Sequence, residues 1–274
     1  AAPNIIADSA VCEGQSIALL TTTTAASYNW SGPNGFNSTQ QNPAAINSAT
    51  IANTGRYTFT IIDANGCMSA VADTFIRVNP RPNRPALSTN SAICQGEDLV
   101  LTTNSVATSY TWTAPNGASM TTTTDTLIVA ANSGMYQAGN WTVAITDVNG
   151  CISMASIASN VVINGVPNSA SPTNNGAICS GAAAQLSAGT IAGTSYAWYT
   201  DAAATNQFST LQNPMVNNLT NDSTFYLIVT VNGCATPIDS TTVSVFAMAA
   251  APNIIADSAV CEGQSIALLT TTTA

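Results

Sequence analysis

Seven cysteines, at positions 12, 67, 94, 151, 179, 234 and 261, are the residues of this chain best suited to chemistry. A thiol can ligate a metal, exchange electrons with a close partner or form a structural bond, and the first two uses need short spacings such as Cys-x-x-Cys or a histidine nearby. Neither condition is met: the shortest interval between cysteines is 27 residues and the chain contains no His. Without His there is no Ser-His-Asp or Cys-His arrangement. Without Lys there is no Schiff base and no Lys-to-Asn isopeptide crosslink. The thirteen acids are scattered, and the single adjacent pair, Glu97-Asp98, points its side chains to opposite sides of the chain, so no carboxylate pair for glycoside hydrolysis is expected. Asp63-Ala-Asn-Gly and Asp147-Val-Asn-Gly faintly resemble a calcium loop, but such a loop needs several oxygen ligands in register, and Val231 stands in place of Asp before the third Asn-Gly. No catalytic residue, metal site or cofactor is therefore expected. The cysteines are read as structural, formed in an oxidising, extracellular compartment.

Their spacing defines the elements that must position them. The cysteines alternate between first members, at 12, 94, 179 and 261, and second members, at 67, 151 and 234; the first members recur at intervals of 82, 85 and 82, which total 249. Residues 1–25 return unchanged at 250–274, at the same offset of 249. The chain is thus expected to be a window on a longer tandem array whose period holds three diverged modules, at residues 1–84, 85–168 and 169–249. Residues 250–274 then begin the next period. Each module opens with Ala-Val/Ile-Cys-x-Gly, continues with Ser-Tyr-x-Trp at 27–30, 109–112 and 195–198, and closes with Asn-Gly-Cys at 65–67, 149–151 and 232–234. Segments rich in Pro or Ala join the modules (78–85, 164–175 and 247–252), and short joints of this kind favour a semi-rigid rod.

The run before each closing turn alternates with period two, the pattern of a half-buried strand. Tyr57, Phe59 and Ile61 share one face, as do Trp141, Val143 and Ile145, and Phe225, Leu227 and Val229. Asn-Gly supplies the positive φ values of a type I′ hairpin. No stretch has sustained helical periodicity, so the expected class is all-β, built from two-layer sandwiches. Trp30, Trp112 and Trp198, at a near-constant distance from the first cysteine, are expected as core anchors, together with Tyr57, Trp141 and Phe225. Tyr199 must point to the face opposite Trp198 and is the candidate surface aromatic.

Because each module should be complete in itself, repetition pairs Cys12 with Cys67, Cys94 with Cys151 and Cys179 with Cys234. Cys261 then pairs with a cysteine outside the chain or in a neighbour. Each bond would staple the hairpin end of one sandwich and contribute about 4 kcal/mol by the chain-entropy estimate. That is a large share for a small core with few ion pairs.

Charged residues make up only 6% of the chain, against about 25% in ordinary soluble domains. All four basic residues are Arg, and the net charge is −9. A phosphate backbone needs a basic stripe, so no nucleic-acid partner is expected. No run of about 20 apolar residues exists, so no membrane span is expected in this segment, and no signal peptide stands at residue 1.

The combination of Ala-Val/Ile-Cys-x-Gly, Ser-Tyr-x-Trp, Pro-Asn-Gly (33–35 and 115–117) and Asn-Gly-Cys resembles the Ig-like and PKD-like repeats of very large cell-surface proteins of Bacteroidota, adhesin-like and associated with gliding and type IX secretion. The third module departs from it at the Pro-Asn-Gly turn, where Tyr199-Thr-Asp-Ala stands instead. The resemblance implies tandem Ig-like or PKD-like sandwiches with one disulfide each. It also implies export to the cell surface and a non-enzymatic structural or adhesive role in an extracellular filament, with further copies of the chain as partners along its axis. It lends weight to Asp-Ser/Thr followed by a small or aliphatic residue as an O-glycosylation pattern, which makes Ser9, Thr126, Ser223 and Ser240 candidate glycan sites. A carbohydrate- or ligand-binding module array of a larger secreted protein, with surface glycans as partners, is the alternative.

Overall fold

The computed structural model describes residues 1–132, 134, 136–192, 194–256 and 259–270. Among them there is no α-helix, and a single 3-10 turn occurs at Ile51–Asn53. Two compact units result, Ala1–Ile163 and Asn164–Ala274. The first contains two separate apolar cores and the second contains one.

In residues 1–79 a five-stranded sheet runs in the order Ala10–Cys12, Ala72–Asn79, Gly55–Ile62, Ser27–Ser31, Asn37–Ser38. All pairings are antiparallel except the first, in which Ala10–Cys12 lies parallel to the end of Ala72–Asn79. A facing layer is held by bridges between Ile6 and Leu20 and between Ile17 and Ile46. Alternation places Tyr57 and Phe59 inward, where they meet Trp30, Ile17, Leu19 and Ile76. The indole of Trp30 stacks on Phe59 with ring centroids 3.8 Å apart and donates its N–H to the Gln40 carbonyl at 3.1 Å.

Residues 85–163 repeat the plan with Ser119–Thr122, Ser109–Thr113, Gly139–Thr146 and Ser159–Val161 in one sheet, and Thr126–Val129, Leu99–Thr102 and Ser88–Thr89 in the other. In the second unit Gln207–Ser209, Thr194–Tyr199 and Ser223–Val231 form the central sheet, and Thr173–Asn174, Ala184–Ser187 and Met215–Val216 face it. Trp30, Trp112, Trp141 and Trp198 are all fully buried, as is Tyr57, and Phe225 is 3% exposed. Each indole N–H has a partner; that of Trp112 goes to the Thr122 hydroxyl and that of Trp198 to the Leu211 carbonyl.

The tyrosine of Ser-Tyr-x-Trp has a second task. Its hydroxyl accepts a backbone N–H from the preceding loop, from Ala25 to Tyr28 at 3.0 Å and from Ala107 to Tyr110 at 3.1 Å, with Ile191 doing the same for Tyr196 at 3.3 Å. The loop entering the tryptophan strand is thereby tied down in all three sandwiches. The single ion pair among the described residues, Arg56 with Asp73, is solvent-exposed and contributes little.

Residues 250–274 copy residues 1–25 but not their environment. Ile17 and Leu19 are 2% exposed, whereas the identical Ile266 and Leu268 are 64% and 70% exposed. The tail forms a small antiparallel pair, Ile254–Ala256 with Leu268–Thr270, with no core under it. Burial of these side chains therefore depends on the strands that in the first module supply Trp30, Phe59 and Ile76.

Candidate functional site: the cysteine joint

The first cysteine of each module ends a short strand and begins a tight turn. The Cys12 carbonyl accepts the Gln15 N–H at 2.9 Å, and Gly14 adopts φ 88°, the value required at the third position of a type II turn. This is why Gly follows Cys at a fixed spacing. Gln15 completes the turn by accepting the Cys12 N–H on its side-chain oxygen at 2.8 Å, and Glu97 does the same for Cys94 at 2.8 Å. Cys179 has the turn, with Ala182 donating at 3.0 Å, but Ala carries no side-chain acceptor. Even the tail keeps it, Gln264 donating to Cys261 at 3.0 Å. Near the turn of Cys94, burial first and then Glu97 and Asp98 push the phenol of Tyr136 up, so it remains a donor to the Cys94 carbonyl at 3.2 Å.

The second cysteine sits at the tip of the closing hairpin, and here the expected turn holds only in part. Asn232 and Gly233 both have positive φ, 50° and 84°, and place Val231 opposite Cys234, as a type I′ turn does. In the first two modules Gly66 and Gly150 have positive φ while Asn65 and Asn149 do not. The reason is the Asp two residues before each Asn. One oxygen of Asp63 accepts the N–H groups of Asn65 and Cys67, both at 2.9 Å, and Asp147 does the same for Asn149 and Cys151 at 2.9 and 2.8 Å. The carboxylate is used up as a turn cap. Among the described residues no three Cys, Asp or Glu side chains converge in a metal-binding cluster.

A hydroxyl two residues after each second cysteine was not anticipated. Ser69, Ser153 and Thr236 accept the N–H groups of Ile61, Ile145 and Val229, at 3.1, 3.0 and 3.1 Å, and donate their own N–H to the carbonyls of the same residues. The hydroxyl stands in for a missing peptide carbonyl where the chain leaves the hairpin. Its signal is plain in retrospect, since Asn-Gly-Cys-x-Ser/Thr occurs in all three modules. Ser153→Ala leaves the buried Ile145 N–H without its acceptor and is expected to destabilise by about 1–3 kcal/mol in urea unfolding. Ser69→Ala, at a more exposed site, should cost less.

Cys12 is bonded to Cys151, with Cα atoms 5.5 Å apart across a sequence separation of 139. The bond joins the first module to the second, and this corrects the expected pairing of Cys12 with Cys67 and of Cys94 with Cys151. The reason is positional. Cys12 lies opposite Asn79, at the far end of the module's last long strand, whereas Cys67 lies at the hairpin tip beyond its beginning at Ala72. Seven strand residues alone span about 23 Å, and a disulfide needs Cα atoms within about 7 Å. The two cysteines of one sandwich thus occupy opposite ends of it. Cys94 and Cys234 are also disulfide-bonded, while Cys67, Cys179 and Cys261 are free and exposed. The expected bond between Cys179 and Cys234 is therefore absent, because the parallel pairing of Ile178–Cys179 with Val245–Phe246 again puts the first cysteine at the exit end.

Around the Cys12–Cys151 bond, Glu13, Gln15, Arg81, Gly150 and Ile152 line a recess of about 170 Å³. Arg81 comes from the linker and lies over the Cys12 turn, where a side chain at residue 14 would meet its guanidinium at 3.4 Å. Arg84, further along the linker, approaches the Met154 sulfur at 3.8 Å. The joint thus combines a covalent bond, a proline-rich linker and two of the four Arg residues.

Two family models match the chain. The PKD-like domain covers residues 80–161, and the Ig-like domain CHU_C associated covers residues 167–246. Residues 80–161 are thus a PKD-like β-sandwich and residues 167–246 an Ig-like one. No curated protein matches. Among solved structures, a 1.5-MDa bacterial ice-binding adhesin is similar at 13% identity and TM-score 0.39, covering 90% of this chain and 99% of that one. Chicken CNTN1 FN1-FN3 domains are similar at 12% identity and TM-score 0.35, covering 89% and 98%, and murine CEACAM1b at 17% and 0.33, covering 58% and 98%.

The remaining sequence-derived positions are not gathered into one site. Tyr199 is half-buried and lies opposite Tyr226 across the sheet. Ser9 and Ser240 are exposed, while Thr126 and Ser223 are half-buried, the former donating to Asp125 and the latter to the Asn221 carbonyl.

Proposed function

We propose that this chain is a repeat segment of an extracellular structural or adhesive filament of the Bacteroidota surface type, with each sandwich a non-enzymatic bead and further copies following along the axis. The observation that carries the reading is the Cys12–Cys151 bond, which fastens one module to the next at their junction. Such a bond suits a load-bearing array, in which it carries tension from one module to the next. The identity of residues 1–25 with 250–274 supports repetition of the whole 249-residue period. Disulfides of this kind form in oxidising compartments, which supports an extracellular site. The modules are taken as 1–84, 85–168 and 169–249, with a new one starting at 250. Electron micrographs of native material are expected to show elongated beaded fibres, and compact isolated particles would overturn the reading.

The scarcity of surface charge supports glycans as a source of solubility. Ser9 and Ser240 are the better acceptors because they are exposed, and glycopeptide mapping should find them occupied ahead of Thr126 and Ser223. The pairing of Tyr199 with Tyr226 favours a second reading, a carbohydrate-binding array, in which Tyr199→Ala abolishes binding on a glycan array.

A further inference from the structure

We propose that every disulfide of this protein steps forward by one module, from the first cysteine of one to the second cysteine of the next, so that Cys179 is bonded to Cys67 of the following copy of the 249-residue period. The proposal rests on the filament reading, because it needs one period to follow another.

Three observations converge on it. The bond from Cys12 to Cys151 spans 139 residues. The same step from Cys94 reaches Cys234, at 140, and both of these residues are oxidised. From Cys179 it reaches Cys67 of the next period, at 137. A forward step thus leaves Cys67, Cys179 and Cys261 without partners inside the chain, and these are the three free cysteines. Pairing within modules would leave Cys261 alone.

The local geometry is already in place at both unbonded sites. Cys67 rides on the Asp-capped hairpin tip that carries Cys151, with its N–H 2.9 Å from the Asp63 oxygen against 2.8 Å from Asp147 for Cys151. Cys179 ends its strand in the turn that carries Cys12, its carbonyl accepting at 3.0 Å against 2.9 Å. Burial distinguishes bonded from waiting tips: Cys151 and Cys234 are 0% exposed, whereas Cys67, at the equivalent position, is exposed.

Bond formation removes one proton from each of the two thiols and passes two electrons to an oxidant. The chemical class that supplies this outside the cytoplasm is a disulfide-bearing oxidoreductase, whose own disulfide is reduced to two thiols as Cys179 and Cys67 are joined.

The test is peptide mapping of native fibres collected in a thiol-blocking alkylator and digested without reductant. Three linked pairs are expected, Cys12 with Cys151, Cys94 with Cys234, and Cys67 with Cys179. In fibres of a Cys67→Ser variant the third pair should vanish and Cys179 should become alkylated, with the other two pairs unchanged. Cys67 or Cys179 found alkylated in the parent, or bonded to any other cysteine, overturns the forward step. If that result comes from material that is fibrous in the microscope, the filament reading stands and only the step fails; compact particles would mark failure of the filament reading itself.

Discussion

Pulled between handles at Ala1 and Ile163, the intact chain is expected to stretch as though most of those residues were missing. The Cys12–Cys151 bond takes 139 residues out of the load path, which at up to 3.6 Å per residue shortens the fully extended chain by about 500 Å. Reductant, or Cys151→Ser, should restore that length in single-molecule force spectroscopy. A curve for the oxidised parent that already shows the full extension would remove the mechanical role of the bond. The long core strands of the first unit, from Ser27–Ser31 through Gly139–Thr146, lie inside the bypassed segment, so of the two sheets only the edge strands Ala10–Cys12 and Ser159–Val161 stand on the load path. The chain-entropy contribution of closing so long a loop is about 5 kcal/mol, and part of that effect should appear as a lower thermal midpoint in the same variant.

The second large effect concerns a tryptophan. Trp112→Ala is expected to destabilise the second module by about 3–5 kcal/mol, through loss of a fully buried indole and the cavity left behind. Its N–H bond to Thr122 is lost with it, which leaves that hydroxyl to its bond with the Thr124 carbonyl. Chemical unfolding monitored by the remaining tryptophans measures the loss. A change below about 1 kcal/mol would place this side chain outside the core.

Much of the framework was legible because it is written in local chemistry. Period-two alternation around Phe59, Val143 and Leu227 places the inward strand of each sandwich, and the fixed distance from cysteine to tryptophan places the strand beside it. The Asn-Gly turns were half legible: their glycines behave as the dipeptide implies, but the Asp that reshapes two of them acts from outside the dipeptide. Cysteine pairing was not legible. In a tandem array, pairing within a module and pairing with the next module are equally regular in sequence, and only the location of each cysteine at one end of the sandwich or the other decides between them. That location depends on Ala10–Cys12 running parallel to the end of Ala72–Asn79, a contact between segments some 65 residues apart that no local pattern announces.

The placement of Cys12 and Cys67 at opposite ends of one sandwich has a consequence for the order of events during synthesis. Cys12 emerges long before Cys151, and the first thiol to follow it is Cys67. Once the first sandwich has folded, its own rigidity keeps those two apart, so the correct partner is awaited with the nearer, wrong one held out of reach. Oxidation of Cys12 then trails the folding of its own sandwich by one bead, because its partner Cys151 belongs to the next.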